Sequence, residues 1–375
     1  MTGPPAPAVV TPARPPQGAD RTPPFGVYVH VPFCARRCDY CAFATWTDRG
    51  HLMPAYAGAV RAEAERVRAE GGLAPASSVF FGGGTPSLMP AELLESMLAA
   101  IPRQPGAEVS IEANPDTVST AGLSALRRAG FNRISFGAQS MLDHVLVSLG
   151  RSHRRGAVEA AVEAAGAAGF RRINLDLIFG AVGESVGDWA RSLEAVLALG
   201  VSHVSAYALT VEPGTALARD PSRHPDPDHQ ADAYLLADRV LGEAGLEWYE
   251  ISNFARPGHE CAHNRLYWDQ GNYRGLGCSS HSHADGRRWW NLRTPERYID
   301  AVATGGCTVA GEERLDPATR AREALELSLR TKAGVPAERI RWDDDIAELV
   351  EVSDGRAVLT PRGRLLANEV ALRLS

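Results

Sequence analysis

Three cysteines, Cys34, Cys38 and Cys41, stand in the spacing C-x3-C-x2-C. Thiols on so short a loop can reach one inorganic centre together. Iron–sulfur clusters are normally held by four cysteine thiolates. Here the run stops at three, and Phe43 stands where a further cysteine could have followed. A four-iron cluster held by three thiolates leaves one iron open to an outside ligand. Structural zinc takes four ligands, often as paired C-x2-C units or C-x2-C with a histidine pair, and the x3 spacing fits that poorly. Iron–sulfur is the favoured reading, zinc the alternative, and a redox or simply buried role the third.

A second feature is Gly82-Gly83-Gly84-Thr85-Pro86, directly after the apolar run 78–81. Without Cβ atoms a ligand can approach the backbone closely, although a tight turn is the plain alternative. The Gly-Lys-Ser/Thr ending of a phosphate-binding P-loop is missing. A third feature is the stretch 253–292, dense in histidine, aromatic residues and glycine. It holds His263-Asn264-Arg265-Leu266-Tyr267-Trp268 and Gly275-Leu276-Gly277-Cys278-Ser279-Ser280-His281.

The elements that must carry these groups alternate. Strands are expected at 27–31, 78–81, 108–113, 133–138, 172–179 and 203–209. Helices are expected near 53–70, 90–101, 119–129, 140–147, 153–168 and 187–199. Six strand–helix repeats argue for an α/β fold with a parallel sheet and right-handed crossovers. The cysteines, the glycines, Glu112, Gln139, Asp176 and Tyr207 recur near strand ends. In barrels the C-terminal strand ends form the active face, so one site built from several strand ends is expected. A doubly wound open sheet is the structural alternative.

Beyond 210 a loop is expected over 211–230, then a helix near 229–244, a strand near 246–251 and a loop-rich stretch at 253–292. Asp316-Pro317 and Thr360-Pro361 each read as an N-cap followed by proline at the first helical position. Asp354-Gly355 marks a hairpin. The tail of the chain is therefore expected to be a small winged-helix-like domain, and its nearly balanced charges give no phosphate-seeking face. The expected partition is a proline-rich disordered tail at 1–25, a core barrel at 26–210, a barrel extension at 211–310 and the small C-terminal domain at 311–375.

At 375 residues the chain can bury a barrel-sized core and a smaller one. Its composition is ordinary for a globular protein, with 45% hydrophobic and 22% charged residues. The net charge of −6 argues against a nucleic-acid partner. No apolar run approaches the roughly 18 residues of a membrane span, and no lipid anchor or basic amphipathic helix points to membrane binding. The N-terminal residues lack the apolar segment of a signal peptide. The six cysteines are too few and too clustered for a disulfide framework, so a reducing cytoplasm is expected.

The cysteine spacing, with Tyr40 before the last thiol, resembles the radical S-adenosylmethionine (SAM) superfamily. Tyr28, His30, Pro32 and Phe33, the GGGTP stretch, Ile111-Glu112, Phe136-Gly137-Ala138-Gln139 and Asn174-Leu175-Asp176-Leu177 narrow this further. Over roughly residues 26–375 the chain is similar to the oxygen-independent coproporphyrinogen III oxidase group. The resemblance implies a partial (β/α)6 barrel of the TIM type. It implies a [4Fe–4S] cluster on Cys34, Cys38 and Cys41, whose open iron takes the amino and carboxylate groups of SAM. Tyr28 and Tyr40 would lie beside SAM, and Gly83, Gly84 and Thr85 would hold its methionyl part. Glu112, Gln139, Arg151, Asp176 and Ala208 would complete binding of one or two SAM molecules. Arg151 can fork onto a carboxylate, and Glu112 or Asp176 can accept from ribose hydroxyls or an ammonium.

Two departures bear on the branch. The decarboxylating oxidases carry a cysteine where this chain has Phe43, and the proline-rich tail replaces their N-terminal substrate-contacting extension. A lesser departure, Ala181-Val182 in place of Leu-Pro, touches local loop geometry. By contrast, His263-Asn264-x-x-Tyr267-Trp268 is similar to the signature of the heme chaperone branch. That resemblance implies a protein that binds heme within 211–310 and passes it to an acceptor, with a respiratory hemoprotein as the expected acceptor and a cluster-dependent homodimer as a possible assembly. His263 is the first candidate for heme ligand, with His281 and His283 as weaker ones. Cys261 and Cys278 could attach or ligate heme, and the Arg151–Arg155 cluster could attract propionates. The alternative function is oxidative decarboxylation of coproporphyrinogen III to protoporphyrinogen IX, and a zinc-binding interaction module is the third.

Overall fold

Strand β1 (Phe25–Val31) has the sequence FGVYVHV, and its alternation sets the plan of the molecule. Val27, Val29 and Val31 are fully buried against the helical layer, while Tyr28 and His30 point to the opposite face. A computed structural model of the chain describes residues 23–374. Most of the expected tail, residues 1–22, lies outside the described residues.

Six strand–helix repeats follow in the expected order. They run through α1 (Met53–Ala69), β2 (Ala76–Gly83), α2 (Ala91–Ala99), β3 (Arg103–Ala113), α3 (Thr120–Ala129) and β4 (Arg133–Gln139). They continue with α4 (Asp143–Ser148), α5 (Arg155–Ala167), β5 (Arg172–Phe179), α6 (Val186–Ala198) and β6 (His203–Ala208). Strands β1 to β6 pair in sequence order and all in parallel. The sheet curves without closing on itself, which makes a partial barrel. Its order is β12-β11-β10-β9-β1-β2-β3-β4-β5-β6-β8-β7.

The inner face is polar, unlike the two apolar faces of most parallel sheets. Glu112, Ser135, Asn174, Asp176 and Ser205 point into it, while Ile111, Ile134, Phe136, Leu175 and Val204 pack outward. Polar groups that replace a packed core line a lumen cavity of about 230 Å³.

After the core come α7 (Pro227–Glu243), β7 (Glu247–Glu250), β8 (Asn253–Ala255) and α8 (Ala262–Trp268). Then follow β9 (Asn272–Leu276), β10 (His281–Ala284), β11 (Arg287–Asn291), α9 (Pro295–Ala303) and β12 (Val309–Arg314). The stretch expected to be loop-rich therefore carries four short strands and a helix, and its strands extend the main sheet. Asp285 and Gly286 both take positive φ, 49° and 86°, at the turn between β10 and β11. Two left-handed residues in succession are what a tight hairpin turn requires, and Asp-Gly supplies them. The sheet runs through Arg314, past the expected boundary at 310.

The C-terminal unit holds α10 (Pro317–Leu329), β13 (Val335–Pro336), β14 (Val350–Ser353), β15 (Arg356–Leu359), α11 (Pro361–Leu365) and α12 (Ala367–Ala371). Asp316 and Thr360 cap their helices, and β14–β15 turns at Asp354-Gly355. The unit has its own core, including Leu329, Val335, Ala357 and Val370. Arg364 forks onto Asp238 of α7 at 2.6 and 3.1 Å and lies 4.2 Å over the Trp248 ring. Among the described residues no helix is long and apolar enough to cross a membrane.

Candidate functional site

The cysteine loop leaves the C-terminal end of β1 and is tied at its base. Cys34 N–H donates to Trp46 O at 3.0 Å, and Trp46 N–H donates to Pro32 O at 2.8 Å. His30, buried at the end of β1, bonds Ala44 O through Nε2 at 2.9 Å, and burial lowers its pKa to about 4. On the far side, Arg223 Nη2 donates to Asp39 at 2.8 Å, and Leu217 N–H donates to Asp39 O at 2.9 Å. The stretch expected as a loop at 211–230 thus braces the cysteine loop.

All three thiols are half-buried, and burial pushes the Cys34 and Cys41 thiols up. A hydrogen-bonded belt joins the loop to three strand ends. Thr85 Oγ1 approaches Cys34 Sγ at 3.8 Å, and Asn114 Nδ2 donates to Thr85 Oγ1 at 3.2 Å. Arg151 Nη2 donates to Asn114 Oδ1 at 2.8 Å and to Gly137 O at 3.0 Å, and Arg151 Nη1 reaches Cys38 Sγ at 3.2 Å. Arg151 Nε is buried with no partner among the described residues. A buried orphan donor on a guanidinium beside three thiols fits an anionic group arriving at this point. Asn114 was not anticipated from the sequence. The signal was Asn-Pro directly after β3, at the same place in its repeat as the other strand-end groups.

Gly83 and Gly84 do more than leave an open face. Gly83 has φ +110°, and a Cβ there would meet the His30 ring at 2.5 Å. A Cβ on Gly84 would meet Phe33 O at 2.5 Å and Val31 O at 2.9 Å. These positions are crowded by the protein itself, so the glycines let β2 end flush against the cysteine loop. Gln139 is also left-handed, at φ 62°, and ends β4 beside Gly137. A non-glycine residue in that region is uncommon and strained, and such strain clusters at functional sites.

Gly83 N–H donates to Glu112 Oε2 at 3.0 Å. Burial, and then the charge of Asp176, push the Glu112 carboxyl up to about 7, against the pull of that N–H. Asp176 accepts from Ser135 Oγ at 2.7 Å and Asn174 Nδ2 at 2.8 Å, and burial raises it as well. Glu112 takes its proton more tightly in the folded chain than at its ordinary value of 4.5. The associated stabilisation is complete below pH 4.5 and is lost as pH rises through about 7. Glu112→Gln should therefore reduce the fall in stability of cofactor-free protein between about pH 5 and pH 8, by about 1–2 kcal/mol once cavity water is allowed for. Urea midpoints at the two pH values check this, and parallel curves for the two proteins would refute it. Glu184, also raised by burial to about 7, keeps part of the slope in both proteins.

Of the remaining expected residues, Tyr28, Glu112 and Asp176 meet in the lumen with Tyr207, while Tyr40 packs against a small apolar cluster that includes Leu149, Ile178, Leu209 and Leu217. Ala208 ends β6 on the same rim. His263 lines the far end of the same lumen, its ring 6.4 Å from that of Tyr28. It lies near the N-terminal ends of β1 and β2, where its Nδ1 bonds Ser78 Oγ at 3.0 Å and its Nε2 bonds Tyr267 OH at 2.8 Å. It is 2% exposed, its ring stacks on Phe80 at 5.5 Å, and burial lowers its pKa to about 3. Expected as a heme ligand, His263 has both ring nitrogens engaged here, and α8 presents its side chain at this end of the barrel. Cys261 and Cys278 are likewise buried, against Glu108 and Tyr56. Arg154 and Arg155 pair with Asp143 and Glu159 on the outer surface.

A second cavity, of about 1040 Å³, opens between the cysteine loop and the β10–β11 hairpin. Phe43, 67% exposed, lines it with Tyr273, His281 and Trp290. Ligand pockets span roughly 300–1,000 Å³, so this one can hold a large ligand.

A three-cysteine loop at the end of the first of six parallel strands, facing the other strand ends, defines the class: a radical SAM fold. The sequence profile of the Radical SAM superfamily matches residues 28–196. The solved structure of Escherichia coli coproporphyrinogen III oxidase (HemN), a radical SAM enzyme, superposes with a TM-score of 0.80 at 24% identity. That likeness covers 93% of this chain and 89% of the other, and it carries the fold. The heme chaperone HemW of Mycobacterium tuberculosis is 43% identical over 94% of this chain and 95% of its own length. The heme chaperone HemW of Bacillus subtilis is 33% identical over 92% and 97%. The chain belongs to the HemW family within the radical SAM superfamily.

Proposed function

We propose that this chain is a heme chaperone, which binds heme and transfers it to an acceptor protein. The observation that carries this is the 43% identity to a heme chaperone over nearly the whole of both chains. The large cavity beside the cysteine loop supports it, because a tetrapyrrole needs a broad, partly apolar seat. In this reading Cys34, Cys38 and Cys41 hold a [4Fe–4S] cluster, which supplies an electron-transfer centre with one iron open to SAM. Arg151 offers its unpartnered Nε to the SAM carboxylate. Tyr28, Tyr40, Thr85, Glu112, Gln139, Asp176 and Ala208 surround the cofactor, and Gly83 and Gly84 bring the β2 end close to it. His263 acts as a structural plug. The acceptor is a respiratory hemoprotein, the cluster supports a homodimer, and the protein works in the cytoplasm.

The test is anaerobic cluster reconstitution, then heme titration and a porphyrinogen assay on the same sample. Heme binding without formation of protoporphyrinogen is expected, and robust porphyrinogen turnover would overturn the proposal.

A further inference from the structure

The large cavity contains a histidine with unused ring nitrogens. Three of the histidines near the two cavities are spoken for. His30 bonds Tyr28 OH and Ala44 O, and His263 bonds Ser78 and Tyr267. His283 bonds Gly271 O and accepts from Gly286 N–H. His281, on the exposed face at the start of β10, makes no side-chain hydrogen bond among the described residues. Its ring stacks on Trp290, its cross-strand partner, at 5.8 Å and 28°. Stacking fixes the imidazole plane and leaves both nitrogens free.

The charges in the cavity wall discriminate further. Arg288 is paired with Glu313 and Glu323. Arg330 is held by Glu326 O and Asn368 Oδ1. Arg293, on the same wall and exposed, has no ion pair or side-chain hydrogen bond among the described residues. A free imidazole, an indole, the exposed Phe43 ring and one unpaired guanidinium match a flat apolar macrocycle that carries a metal and carboxylates.

We propose that His281 is the axial ligand of heme seated in this cavity, with Arg293 receiving a heme propionate. The assignment rests on the heme chaperone reading. It places the cargo against Ala42, Phe43 and Ala44 of the cysteine loop, so that loading of that loop and of the cavity share one wall.

The experiment is a hemin titration of the full-length, cluster-reconstituted protein, comparing wild type with His281→Ala, Arg293→Ala and His263→Ala. His281→Ala should bind hemin at least about tenfold more weakly, in the range found when metal-site support is removed. Its Soret band should shift, and free imidazole should restore the wild-type band. Arg293→Ala should weaken binding without moving the Soret band, and His263→Ala should leave the band in place. Wild-type binding with an unchanged His281→Ala titration would overturn the assignment and leave the chaperone reading standing. Failure of the wild type to bind hemin would remove both. A measurement on wild type alone guards against a misfolded variant. Diethyl pyrocarbonate should modify His281 in the heme-free protein, and hemin should protect it. Equal modification with and without hemin would overturn the assignment.

Discussion

Replacing Cys34, Cys38 or Cys41 by Ala should abolish the visible absorbance of the anaerobically reconstituted protein, together with its bound iron and sulfide. The loop offers three thiols, and no other cysteine can stand in for them. Cys261 and Cys278 are 4% and 0% exposed inside the fold, and Cys307 lies on the extension just before β12. The loop is anchored by backbone bonds at its base and by Asp39, not by the thiols, so the apo variants should keep their fold. Loss of iron with unchanged far-ultraviolet circular dichroism is therefore the expected pair of results. Metal analysis closes the argument. Iron and sulfide retained by any of the three variants would move the cluster elsewhere, and zinc in place of iron in the wild type would revive the interaction-module reading.

Glu63→Ala should cost about 3–5 kcal/mol, as breaking a buried polar network does. Glu63, on α1, has no exposed surface. Its Oε2 accepts from Tyr298 OH at 2.6 Å and Gly277 N–H at 3.1 Å. Its Oε1 accepts from Asn291 Nδ2 and Thr308 Oγ1, both at 3.0 Å, with Arg274 at 3.8 Å. These donors come from β9, β11, α9 and the segments that flank them. One carboxylate therefore fastens the whole extension to the first helix of the barrel, and its removal strands several buried donors at once. Denaturant midpoints measure the loss, and hydrogen exchange should show it concentrated in residues 272–314. Since β10 and β11 form a wall of the large cavity, heme affinity should fall while the cluster still assembles. An unchanged midpoint would show that the donors find other partners.

The six core repeats were legible because each strand carries its own signal: a short β-branched run closed by glycine or a polar residue. The cysteine loop was legible because its ligands are local, spaced within one turn of chain. The polar lumen was equally present in the alternation of Glu108, Ser110 and Glu112 or of Asn174 and Asp176, but only Glu112 and Asp176 stood out, as strand-end groups rather than as part of one face. The extension was missed for a different reason. Its hairpin had a usable signal in Asp285-Gly286. Its place in the sheet had none, because β9 pairs in parallel with β1, joining residues 272–276 to 25–29. No local pattern records a partner that far along the chain.

The amino-acid sequence by itself determined the repeat order, the three thiols on one loop and the arginine and carboxylates gathered near them. Those features depend on residue types and short spacings. Only the tertiary structure decided how each side chain spends its hydrogen-bonding capacity. It buried His263 between Ser78 and Tyr267, filled the space beside Gly83 and Gly84 with the chain's own atoms, and left His281 and Arg293 free on the wall of a cavity. Identical residue types thus separate into structural and available groups. That separation follows from burial and from partners brought together across the sheet, which spacing along the chain does not encode.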